Sequence, residues 1–138
     1  MLKRVCAGGV VFSGDRVLLL KNEKGEWVLP KGVIRNGGLS REVALRRVKE
    51  EAGVDAEIIS AVGETSYEFF SVTRQRPVCN EITWYLMTAL NTDYKISESD
   101  GFLDGGFFPI DDAINRITYS QDKALVSLSY KKYKQMAV

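Results

Sequence analysis

Histidine is missing from all 138 residues. That absence removes Ser-His and Cys-His nucleophilic systems, histidine-ligated zinc and histidine general bases together. Acid–base chemistry in this chain has to come from carboxylates, lysine, tyrosine or metal-bound water. An excess of charge of one sign is missing as well. Nineteen Lys and Arg against 18 Asp and Glu leave a net charge of +1, so there is no global footprint for nucleic acid and any anion site must be local. No apolar run approaches the length of a membrane span, and Met1 begins no signal peptide. The expectation is a cytoplasmic protein with neither a nucleic-acid nor a membrane partner. Cysteine is sparse: Cys6 and Cys79 each lie in or beside a strand-like run. Two buried thiols are expected there rather than a disulfide.

What remains is ordinary in bulk. With 45% hydrophobic and 27% charged residues, the chain has the composition of a globular protein, and residues 1–138 read as one domain long enough for a real core. Val5 to Phe12 and Arg16 to Lys21 are apolar runs joined by a hairpin turn at Ser13-Gly14-Asp15. Their continuous apolarity predicts strands covered on both faces. Asn22 to Glu26 is a polar loop, and Trp27 to Leu29 is a short strand that Pro30 stops. Lys31 to Gly38 reads as a glycine-rich loop leading to a helix, with Ser40 as the N-cap candidate and Leu39 as a staple. Val43, Ala44 and Val48, with Leu39 or Ala52, form an apolar stripe at helical spacing, and Gly53 suits the end of that helix.

Ala56 to Val62 and Thr65 to Thr73 read as strands parted by Gly63-Glu64, Arg74 to Pro77 as a basic turn, and Val78 to Leu90 as a long strand. An acidic loop, Asn91 to Gly106, carries Glu98, Asp100 and Asp104. It is followed by a short Phe107-Phe108 strand, a helix from Ile110 to Ile117 and an amphipathic helix from Ser120 to Gln135. Ala124, Leu125, Leu128 and Met136 are expected on the inner face of that last helix. The order of strands, helix, strands and helices predicts a mixed sheet between helical layers.

The chemistry gathers on the first helix. Residues three and four apart share a helix face, so Arg47 shares one with both Glu50 and Glu51. Adjacent carboxylates suit a hard divalent cation, and the glycine-rich loop before them can offer backbone groups to the same ligand. The plain alternative is a solvated helix face on which Arg47 pairs with Glu51 across one turn.

The stretch from Gly32 to Val54 resembles the Nudix box of the MutT-related hydrolases. Gly32, Arg46, Val48, Glu50, Glu51, Gly53 and Val54 fall in register with that pattern, and the lead-in WVLPKG is similar to the family's. The segments AGGVVF, VGETSYEFF and GGFFPIDDAINRI extend the likeness over most of the chain. The resemblance implies an α/β fold, a Nudix-type α/β/α sandwich around a central mixed β-sheet. It implies a pyrophosphohydrolase that uses Mg²⁺ or Mn²⁺ and acts on a small nucleotide-like phosphorylated molecule, a nucleoside diphosphate linked to another group. The lead-in and the short C-terminal helices look most like the dinucleoside-polyphosphate and diphosphoinositol-polyphosphate branches.

The resemblance also implies roles. Glu50 and Glu51 would hold metal, helped by the Lys31 carbonyl and by one carboxylate of the late loop, Glu98, with Asp100 and Asp104 as alternatives. Lys31 and Arg46 would touch phosphate, and Tyr67 and Tyr119 would stack on a base; Phe69 and Trp84 lie on strands near the same cleft. Two positions depart from the pattern. Gly38 stands where the first box glutamate belongs, which leaves Arg46 to pair with Glu42 or Glu50. Arg47 stands where a metal-binding glutamate belongs, and this moves the local charge by two units and sets a guanidinium among the ligands. From these residues three readings follow: a hydrolase impaired by Arg47, a phosphate- or nucleotide-binding module without turnover, and an interaction protein on a spent enzyme scaffold.

Overall fold

The computed structural model describes residues 1–136. Two long strands, β1 (Leu2–Ser13) and β6 (Arg76–Ala89), run parallel through its centre, paired from Leu2 with Val78 to Phe12 with Thr88. Every other pairing is antiparallel. β2 (Arg16–Asn22) follows β1 through the Gly14-Asp15 turn, β3 (Trp27–Val28) follows β2, and β5 (Ala56–Ser71) lies outside β6. β4 (Lys31–Val33) adds to β1, and β7 (Phe102–Pro109) adds to β2.

Side chains alternate across these strands, so the continuous apolar runs feed two cores rather than one. Ala7, Val11, Leu18, Leu20, Tyr85 and Met87 face α1 (Ser40–Ala52) and meet Val43, Ala44, Val48 and Ala52. Cys6, Val10, Phe12, Leu19, Trp84 and Leu86 face the opposite way. They meet Ala113 and Ile117, at the end of α2 (Ile110–Arg116), and Leu125 and Val126 of α3 (Ser120–Met136). The result is the expected α/β/α sandwich around a mixed sheet. No helix among the described residues is long and apolar enough to cross a membrane.

Several local expectations are corrected. Lys31 to Val33 is strand rather than loop, because Gly32 lies opposite Ala7 in an antiparallel pairing with β1. β5 runs unbroken past Gly63-Glu64, since β6 offers a continuous partner and the irregularity is absorbed as register shifts at Ser60 and Gly63. The acidic loop ends early, as Phe102 already pairs with Asn22. Arg76 and Pro77 belong to β6, so the turn is 72–75.

Leu39, not Ser40, is the N-cap residue of α1, and it makes no side-chain cap. The Ser40 hydroxyl is bonded to the Tyr85 hydroxyl instead. Leu39 is exposed, and Ala52 completes the apolar stripe. α3 is also rotated from its expected setting. Phe12 stacks on Tyr133 at 4.9 Å and meets Tyr130 at 5.6 Å. Leu125 is buried as expected, but these contacts turn Val126 and Ser129 inward beside it and leave Ala124, Leu128 and Met136 exposed. Cys6 is buried, Cys79 is partly exposed, and both are free thiols.

Candidate active site

α1 ends at Gly53, whose left-handed backbone (φ 68°) returns its N–H to the Lys49 carbonyl. The loop after β6 then closes over the last turn: Lys95 N–H donates to the Ala52 carbonyl at 2.8 Å and Ser97 N–H to the Glu51 carbonyl at 2.9 Å. These bonds satisfy orphan carbonyls of the helix end. They also carry Asp100 to the face of α1 that holds Arg47, Glu50 and Glu51. The opposite wall is β4, which brings Lys31 and Gly32 to the same place.

Arg47 organises this centre. Its Nε and Nη2 both reach Glu51 Oε2, at 2.9 and 2.8 Å, and Nη1 reaches Glu50 Oε2 at 2.8 Å. Asp100 Oδ1 lies 3.9 Å from Nη2. Arg46 approaches the other oxygen of Glu50 at 3.5 Å, so of its two expected partners it takes Glu50 and not Glu42. Three of the four carboxylate oxygens of Glu50 and Glu51 therefore contact a guanidinium.

Glu51 is 2% exposed. Burial pushes its carboxyl up to about 7, against the opposing pull of Arg47 and Lys31. Burial also draws the Arg47 guanidinium down, but Glu51, Glu50 and Asp100 outweigh it, and Arg47 is held more firmly protonated than usual. The two partners of one ion pair thus both shift upward. The asymmetry follows from depth: the Glu51 side chain is nearly sealed, whereas 25% of the Arg47 side chain still meets water. A carboxyl near neutrality is what a general base needs, yet Oε2 of Glu51 already accepts two bonds from Arg47.

Mg²⁺ or Mn²⁺ does not fit this arrangement of donors. A hard cation needs several free oxygens around one point. Among the described residues no group of three or more acidic or cysteine side chains is disposed to hold a metal ion. Asp100 is the late-loop carboxylate at this centre. Glu98, the expected ligand, is exposed and does not line the cleft, because its turn is spent closing the Glu98 to Gly101 bend.

Lys31 belongs to two adjoining cavities. One, of about 360 Å³, contains Arg47, Glu51 and Asp100. The other, of about 500 Å³, contains Tyr67, Tyr119, Trp84 and Asp122. Lys31 Nζ lies 5.8 Å from the centroid of the Tyr67 ring. The Tyr67 and Tyr119 rings are stacked nearly parallel, their centroids 6.3 Å apart and their planes 12° from parallel. The Tyr67 hydroxyl accepts a bond from Asn80 at 2.8 Å. The Tyr119 hydroxyl donates to the Glu26 carboxylate. That bond holds Glu26 below the usual carboxylate range and raises Tyr119 to about 12. Trp84 is core floor, its indole N–H given to Thr65 at 2.8 Å.

The structure thus brings Lys31, Arg47, Glu51, Tyr67 and Tyr119 to two adjoining cavities, whereas Glu50 and Arg46 line neither and are joined to the centre through the Glu50–Arg47 ion pair. Sequence reasoning missed Glu26 and Asp122. Glu26 sits in a polar loop, and Asp122 looks like any acidic residue in the first turn of a helix. Only their placement opposite β5 singles them out.

The family model of the NUDIX domain matches residues 2–128. A protein described as putative mutator protein MutT4, from Mycobacterium tuberculosis, is 31% identical over 103 residues, which is 75% of this chain and 40% of that protein. An RNA pyrophosphohydrolase from Erythrobacter litoralis is 32% identical over 71 residues, 46% of this chain and 42% of that one. The chain spans about two-fifths of the length of the curated relatives it matches. Among solved structures, an Ap4A hydrolase binary complex from C. elegans superposes with a TM-score of 0.74 at 20% identity, covering 96% of this chain and 98% of that one. The dihydroneopterin triphosphate pyrophosphohydrolase of E. coli gives 0.73 at 19% identity, with 91% and 95% covered. At these identities the structural matches establish a common fold.

Proposed function

The chain belongs to the Nudix family, and on that premise we propose that it is a pyrophosphohydrolase of a nucleoside diphosphate linked to another group, with Arg47 holding its rate down. The observation that carries this reading is the position of Lys31. It joins an aromatic cleft suited to a planar base with a charged centre in which Lys31 and Arg47 are the groups that would attract a pyrophosphate linkage. A base would rest against Tyr67 and Tyr119, and the first phosphates would meet Lys31. A dinucleoside polyphosphate matches that length and polarity.

Nudix hydrolases generally use divalent metal ions. With Arg47 bridging Glu50 and Glu51, such an ion has no free group of three acidic side chains among the described residues, so turnover would require Arg47 to move aside. The same contacts favour a second reading, a nucleotide-binding module in which Arg47 has replaced the metal and turnover is lost.

One experiment separates the two. The purified protein and its Arg47→Glu variant are incubated with dinucleoside polyphosphates, nucleoside triphosphates, ADP-ribose and diphosphoinositol polyphosphates, with Mg²⁺ and Mn²⁺ in turn, and products are resolved by chromatography. Slow metal-dependent cleavage by the parent and faster cleavage by the variant are expected. A silent parent beside an active variant would select the binding module. Silence from both would end the hydrolase reading.

A further inference from the structure

Glu50 and Glu51 do not use up the Arg47 guanidinium. A guanidinium carries five N–H donors and no acceptor. Nε and Nη2 both go to Glu51 Oε2, and Nη1 goes to Glu50 Oε2. Asp100 Oδ1, 3.9 Å from Nη2, is too distant for a hydrogen bond. One N–H on each of the two terminal nitrogens is therefore without an acceptor among the described residues. Two such donors on one planar group are what a guanidinium offers an oxyanion in a bidentate contact. The exposed part of the side chain lines the cavity of about 360 Å³.

The surroundings favour an anion there. The Arg47 stem lies against Gly32, which holds the guanidinium in place. Lys31, the residue before Gly32, lines the same cavity, as does Lys24. The acids of the cavity are Glu23, Glu51 and Asp100. Glu51 is already bound to Arg47, and Glu23 is exposed. Asp100 is the carboxylate near enough to compete for the unspent N–H groups. A divalent cation joins carboxylates to phosphate oxygens because both donate electron pairs to it. Arg47 can make the same junction with hydrogen bonds, three contacts reaching the glutamates and two N–H groups remaining for a phosphate.

We propose that Arg47 and Lys31 form a metal-independent oxyanion site, in which the guanidinium holds Glu50 and Glu51 on one side and a diphosphate, through its two remaining N–H groups, on the other. This rests on the phosphate reading of the cleft given above and does not depend on turnover. Binding of the diphosphate needs no divalent cation, and Mg²⁺ does not strengthen it.

The test uses the full chain and calorimetric titration with methylenediphosphonate, whose P–C–P bridge resists hydrolysis, first in EDTA and then in Mg²⁺. The parent is expected to bind in EDTA with no tightening by Mg²⁺, a comparison that requires no variant. Arg47→Lys keeps the charge but loses the planar fork, and it is expected to bind at least about tenfold more weakly in EDTA. Asp100→Asn removes the competing carboxylate and is expected to bind more tightly. Binding that occurs only with Mg²⁺, or that Mg²⁺ tightens, would overturn the proposal and leave the hydrolase reading standing. Binding in EDTA that Arg47→Lys leaves unchanged would assign the anion to the lysines and overturn it as well. No binding in either buffer would overturn it together with the phosphate reading.

Discussion

The stem of Arg47 lies directly on the α-carbon of Gly32: a methyl group at position 32 would come within 2.5 Å of Arg47 Cγ and 2.6 Å of Cδ. β4 and α1 therefore approach each other through an arginine laid across a glycine, and the guanidinium beyond is delivered to Glu51. Gly32→Ala is expected to destabilise the protein by about 1–3 kcal/mol through overpacking. Combined with Arg47→Ala, which removes the obstructing stem, it should cost much less. A double-mutant cycle in urea measures the coupling, and additive effects would show that the contact carries no energy.

Arg47→Leu leaves Glu51 buried without its counter-charge. Breaking a buried pair from one side costs about 3–5 kcal/mol when the remaining charge cannot escape, but Glu51 can protonate. The folded carboxyl, already pushed up to about 7, lies above its unfolded value of roughly 4.3. The folded state thus holds the proton more tightly, and the contribution to stability is full below the unfolded value and lost as pH rises through the folded one. In the parent, urea midpoints should fall between about pH 4 and 7 on this account. In Arg47→Leu the fall should continue to higher pH, and Glu51→Gln should flatten it. A profile unchanged by Glu51→Gln would assign the pH dependence to another group.

Arg47→Glu changes the local charge by two units and frees Glu51 and one oxygen of Glu50, the other staying near Arg46. Titration of Mn²⁺ followed by electron paramagnetic resonance should show affinity raised by at least about tenfold over the parent, since the added carboxylate both donates and removes repulsion. Equal Mn²⁺ affinity in the two proteins would mean that Arg47 already moves aside for a cation.

Tyr119 has two separable parts. Tyr119→Phe keeps the ring and removes the bond to Glu26, so the Glu26 carboxyl should rise toward the ordinary range, as carboxyl-carbon NMR would record, with little change in nucleotide affinity. Tyr119→Ala removes the ring as well, and affinity should fall about tenfold, within the roughly 1–3 kcal/mol that base–aromatic stacking contributes. Affinity lost equally in both variants would place the effect in the hydroxyl and its hold on Glu26.

Much of the arrangement was legible in the residues alone, because local periodicity dictates it. Two apolar runs meant strands covered on both faces, and Val43, Ala44 and Val48 meant a helix pressed to one of them. Spacings of three and four placed Arg47 beside Glu50 and Glu51 before any tertiary contact was known. What the residues could not reveal were pairings between segments far apart in the chain. Lys31 to Val33 becomes a strand only because β1 has an edge to receive it. Asp100, rather than Glu98, reaches Arg47 because two backbone bonds tie its loop to the end of α1. α3 turns Val126 and Ser129 inward, beside the expected Leu125, because Phe12 packs against both Tyr130 and Tyr133. Asp122 meets the cleft because the Gln121 side chain holds the Ser66 backbone of β5. In sequence these are unremarkable charges and helix positions. Closure of the sheet brings them to Lys31, since contacts across a fold depend on which surfaces meet and not on the spacing within any one element.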